Sequence, residues 1–164
     1  MLTLWAATVA ERLGFDRDEA LSLGKSVAGL NAQAKGRRLG IFAPGDASAR
    51  KARAHKRGEE FRVELCGRPV PAVRTAAGVR AVTGDTPVDP AAVARYLEGK
   101  FGDDLEAARA AMTALASALS PDDLAARAFA LYEEFRPAIP GGARGWGAKG
   151  VLDLARLRAL SPRR

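Results

Sequence analysis

The chain has 164 residues, 48% of them hydrophobic, and a single cysteine, so it is long enough to bury one core and cannot form an intrachain disulfide. No run approaches the about 18 uninterrupted apolar residues of a transmembrane helix, so none is expected. The net charge of +7 is local: residues 35–80 hold 12 Lys and Arg against 4 acids, a net +8, while the rest of the chain holds 14 basic and 15 acidic residues, a net −1.

Alanine is abundant and aromatic residues make up only 6%, a composition that favours helices packed closely through small side chains. Residues 4–13 read as a short helix, because Leu4, Ala7, Ala10 and Leu13 recur at helical spacing and Gly14 supplies a left-handed cap. Asp16 followed three residues later by Glu19 is an N-capping signature. It opens a second helix over residues 17–38, with a stripe of Ala20, Leu23, Val27, Leu30 and Ala34. Gly24 and Gly29 either weaken that helix or let another approach closely.

Ile41, Phe42, Ala43, Pro44 and Gly45 break the helical period. Asp46 can cap a third helix to about residue 57, a segment with no large apolar side chain. Such a segment is a solvated arm or a helix held by a partner. The period then changes to two: Phe61, Val63 and Leu65 alternate with Arg62, Glu64 and Cys66, the pattern of a half-buried strand. Gly67 and Arg68 are expected to turn the chain. Residues 69–73 return as an edge strand, since Pro69 and Pro71 cannot donate to a ladder. Residues 78–82 add a third short strand.

From Asp89 onward the reading is helical. Asp89 caps and Pro90 opens a helix to about Phe101, its inner face Val93, Tyr96 and Leu97. A further helix covers residues 103–119, with Leu105, Ala108, Met112, Leu115 and Leu119 on one side. Ser120, Pro121, Asp122 and Asp123 start another, which carries Leu124, Ala128, Leu131, Tyr132 and Phe135 until Pro137 stops it. A Gly- and Pro-rich loop around Trp146 leads to a last helix over residues 151–160. The expected fold is mainly α: one compact helical domain over residues 1–160, with a small antiparallel β-hairpin and a basic arm inserted at about 44–82. Residues 161–164 are expected to be a disordered tail.

Residues 6–25 resemble a helix-turn-helix unit, with Ala10 at the small position of the first helix, Gly14 at the turn, and Val9, Leu13, Phe15, Ala20 and Leu23 at buried positions. The groove-facing positions would be Asp16, Arg17, Asp18, Leu21, Ser22 and Lys25. Two acids and a leucine meet phosphates unfavourably, so a structural hairpin is the better reading. The basic segment is the stronger nucleic-acid candidate. Arg50, Arg53 and Arg57 share one helical face, flanked by Lys51 and Lys56. Lys35, Arg37 and Arg38 lie upstream, and Arg62, Arg68, Arg74 and Arg80 downstream. These residue types make phosphate contacts, which set affinity and salt dependence without reading sequence.

Catalytic and metal chemistry find little support. His55 and Cys66 are the only residues of their kinds, and two ligands cannot build a structural metal site. A Cys–His nucleophile would need the two brought together, which nothing in the linear order does. Residues 36–40 lack the ending of a phosphate loop. The pairs Asp103–Asp104 and Asp122–Asp123 suit helix N-termini. Arg144, Trp146 and Lys149 lie in a glycine-rich loop whose tryptophan is expected to pin the last helix.

The run at residues 10–20 (AERLGFDRDEA), the stretch at 27–36 and the block at 136–150 together resemble a group of uncharacterised bacterial proteins of similar length. That resemblance implies a cytoplasmic bacterial protein and supplies no activity, cofactor or catalytic residue. The single cysteine and a start without a basic leader segment point to the cytoplasm as well. The expected function is binding to nucleic acid, duplex DNA with low sequence discrimination, without a cofactor or catalysis. The alternative is an adaptor or small regulator that binds a protein partner or a second copy of itself.

Overall fold

The computed structural model describes residues 1–38, 60–136 and 152–161, with the side chains of Arg37 and Arg38 outside that description. Helix α1 (Leu2–Arg12) lies at the centre of the core, and every residue from Leu2 to Ala10 is buried. The residues that recur at helical spacing, Leu4, Ala7 and Ala10, are buried, and so are those between them, so the helix is covered all round from Leu2 to Ala10. Its sequence explains this, because residues 2–10 are apolar apart from two threonines and offer no charged face. Thr8 Oγ1 meets its apolar surroundings by donating to Leu4 O at 2.9 Å.

The chain turns at Gly14 into helix α2 (Arg17–Arg38). The expected capping box forms: Asp16 N donates to Glu19 Oε2 at 3.1 Å, and Glu19 N to Asp16 Oδ1 at 2.8 Å. Gly24 lets α1 and α2 meet backbone to backbone. A Cβ there would lie 2.6 Å from Thr3 O and 2.8 Å from Ala7 N. Gly29 meets nothing and has no such role.

The expected hairpin is part of a four-stranded antiparallel sheet, β1 (Phe61–Leu65), β2 (Arg68–Thr75), β3 (Gly78–Thr83) and β4 (Thr86–Pro87), ordered β1-β2-β3-β4. The first turn is Cys66–Gly67 rather than Gly67–Arg68. Both residues have positive φ, 50° and 70°, the backbone of a two-residue hairpin turn. Leu65 pairs with Arg68 and Val63 with Val70. The strand with two prolines is interior, not an edge. Hydrogen-bonding direction alternates along a strand, so the nitrogens of Pro69 and Pro71 face the β3 side. The ladder to β3 starts only beyond them, at Ala72 opposite Ala81.

Helix α2 closes the open side of β3. Val79 N donates to Glu19 Oε1 at 3.0 Å, and Ala81 N donates to Ser22 Oγ at 2.7 Å. Two strand donors that would need another strand or water are thus taken by helix side chains. Glu19 uses one oxygen for its own helix cap and the other for the strand. Ser22 is fully buried. Ser22→Ala leaves the Ala81 N–H without an acceptor, and urea denaturation should show a loss of about 1–3 kcal/mol with unchanged slope.

Helix α3 (Pro90–Phe101) starts as expected, with Asp89 accepting from Ala91 N. A 3₁₀ turn (Gly102–Asp104) replaces the first turn expected for the next helix, so α4 runs over Leu105–Ser117 and the Asp104 side chain makes no capping bond. Helix α5 (Pro121–Phe135) is capped by Ser120, which accepts from Asp123 N and donates to Asp123 Oδ2. Helix α6 is shorter than expected, Leu154–Ala159, with Asp153 accepting from Ala155 N and Arg156 N. Trp5 joins α1 to α5: its indole N–H donates to Ala128 O at 2.8 Å, and its ring meets Phe135 edge-on at 5.2 Å. The third helix expected near residues 46–57, the loop around Trp146 and the tail from residue 162 lie outside the described residues.

Candidate polyanion-binding surface

Three of the ten residues expected to contact phosphate have described side chains. Lys35 is exposed on the last turns of α2, and Arg62 is exposed on β1. Arg68 is half-buried, donates to Asn31 Oδ1 at 3.2 Å, and lies 6.0 Å from the Phe129 ring centre. Arg37, Arg38, Arg50, Lys51, Arg53, Lys56 and Arg57 have side chains outside the described residues.

The sheet divides its own basic residues between two faces. Side chains alternate along each strand, so the register puts Arg68 and Arg74 with Phe61, Val63 and Leu65, and Arg62 and Arg80 opposite them. Arg74 is exposed and stacks 5.2 Å from the Phe61 ring centre. Arg80 is 8% exposed and donates to Val79 O at 2.9 Å. It offers little charge to an outside partner, contrary to the sequence reading. The four sheet arginines therefore do not converge, and among the described residues Lys35 and Arg62 are the expected contacts with open side chains.

The helix-turn-helix surface is also closed. Leu21 and Ser22, two of the positions expected to face a groove, are buried. Strand β3 occupies that side of α2 through the Glu19 and Ser22 contacts. Lys25 alone among the later positions is exposed. It meets Tyr96, which was expected on the inner face of its helix and is instead 41% exposed. Lys100 lies near the same ring. The spacing of Tyr96 and Lys100, four residues on one helix, was visible in the sequence; the approach of Lys25 was not. The Met1 amino group lies close enough to feel Lys100, and burial first and that charge second hold its pKa down to about 6.

Nucleophilic chemistry gains no support. Cys66 is buried, and burial pushes its thiol up to about 12, so the thiolate that would attack is disfavoured. His55 lies outside the described residues. Among the described residues no group of three or more His, Cys, Asp or Glu is arranged to hold a metal ion. Asp122 and Asp123 sit in the first turn of α5, where Asp123 serves the Ser120 cap.

Comparison with protein-family models, curated proteins and solved structures finds no match to this chain. Among the described residues no helix is long and apolar enough to cross a membrane.

Proposed function

We propose that the protein binds nucleic acid, duplex DNA with little sequence discrimination, through its central basic segment and without catalysis, in the cytoplasm of a bacterium. The observation that carries this reading is the charge distribution: net +8 over residues 35–80 against net −1 over the remainder. Concentrated positive charge releases counterions from a phosphate backbone, and that release drives binding regardless of sequence. Arg50, Lys51, Arg53, Lys56 and Arg57, with Arg37 and Arg38, supply the contacts, and the exposed Lys35 and Arg62 add to them. Arg68 is engaged by Asn31 and Phe129 and contributes less.

The test is an electrophoretic shift titration against random duplex and single-stranded oligonucleotides at two salt concentrations. Duplex binding should weaken steeply with salt, and changing Arg50, Arg53 and Arg57 together to Glu should abolish it at low salt. Unchanged affinity in that triple variant, or no shift of the parent protein at low salt, removes the reading.

A further inference from the structure

Tyr96 is the one large hydrophobic side chain left exposed among the described residues. Its ring carries ammonium groups from two different helices. Lys25 Nζ of α2 lies 4.6 Å from the ring centre, and Lys100 Nζ, one turn further along α3, lies 5.6 Å from it. Lys100 Nζ also donates to the Tyr96 hydroxyl oxygen at 3.3 Å. Both lysines are exposed, and among the described residues neither is paired with a carboxylate.

Two like charges at one ring repel each other. The ring face attracts each of them, and water screens part of the repulsion. An anion bound beside them would offset the rest. The Tyr96 oxygen accepts from Lys100, so its own proton is available to donate. The cluster therefore gathers two charged donors and one hydroxyl donor around a single exposed ring. Each ammonium is a compact charge with three rotatable donors. That donor set suits an oxyanion with several acceptor oxygens, and a phosphoryl group, tetrahedral and multiply charged, is the commonest of these in a cell.

We infer that Lys25, Lys100 and the Tyr96 hydroxyl form a phosphate-binding site on the α2–α3 face, outside the central basic segment. A free phosphate-bearing small molecule and the backbone of a nucleic acid present the same oxygens to it. The three side chains extend from helices anchored in the core, α2 by Leu23 and Val27 and α3 by Val93 and Leu97. The donors are thus held by rigid elements.

The test has two arms. In the first, inorganic phosphate is titrated into the full chain and backbone amide NMR signals are followed, with sodium chloride at matched ionic strength as the control. Signals of Lys25, Tyr96 and Lys100 should shift saturably with phosphate and not with chloride. The shift should vanish in a Lys25→Met/Lys100→Met double variant and weaken several-fold in Tyr96→Phe. Because all three side chains are exposed, the remaining signals of these variants should keep their positions. No saturable shift at the three residues, or the same shift in the double variant, overturns the inference. In the second arm, duplex affinity is measured against salt. If a nucleic-acid backbone docks here, the double variant should lower the log–log slope by about 2. An unchanged slope, with the phosphate shift present, assigns the site to a free small ligand. A parent protein that binds no duplex removes the function proposed above, while the phosphate arm still decides this site.

Discussion

Replacing Trp5 with alanine should destabilise the protein by about 3–5 kcal/mol, a change seen as a fall in melting temperature of about 10 °C or more. Trp5 is completely buried in the middle of α1. The loss has three parts. The indole leaves a cavity between α1 and α5 that helices crowded with small side chains cannot close by repacking. The edge-on contact with Phe135, which itself meets Tyr132 edge-on at 5.8 Å, disappears. The Ala128 carbonyl loses the donor 2.8 Å away. Trp5→Phe separates these contributions. It keeps most of the ring and removes the N–H, so the hydrogen bond should account for about 1 kcal/mol of its cost. Equal losses for the two variants would mean that the cavity contributes nothing.

The second large effect concerns a residue with no side chain. Gly24→Val should cost about 3 kcal/mol or more, at the upper end of what overpacking does. The first added carbon would already stand 2.6 Å from one backbone atom of α1 and 2.8 Å from another. Backbone of a buried helix cannot swing aside as a flexible side-chain end can. Gly29→Ala is the control on the same helix. Its Cβ would meet nothing within 4 Å, and exchanging a helical glycine for alanine favours the helix by roughly 0.5–1 kcal/mol. Opposite signs at Gly24 and Gly29 in urea denaturation are the expected result. A loss at both would show that close approach is not what distinguishes them.

In the sequence each of these two glycines is either a weak point or a contact point, and nothing in their neighbours separates the two roles. The helix ends were more legible. Asp16 with Glu19, Asp89 before Pro90, and Ser120 before Pro121 each form the cap their spacing implies. Capping is decided within about four residues, so local sequence contains most of its physics. The prolines of β2 do remove donors, yet β2 is an interior strand. What a missing N–H forbids depends on which neighbour it would have faced, and that is a matter of register.

The candidate surface divides in the same way. The count of charges is a property of the chain alone, whereas exposure, direction and pairing are not. Arg80 counts among the twelve basic residues of the central segment and is buried. Arg68 counts equally and is engaged by Asn31 and Phe129. Lys25 lies outside that segment and shares a ring with Lys100, 75 residues away in the chain.

By itself the sequence determined the mainly helical character, the capped helix starts, the change to period two after residue 60 and the placement of the charge excess. All of these arise between residues close together along the chain. Tertiary structure alone decided that α1 is enclosed on every side, that Glu19 and Ser22 serve β3, that the sheet has four strands and that two lysines share the Tyr96 ring. Each of those depends on contacts between residues far apart in the chain, and their energies exist only once the core has brought the partners together.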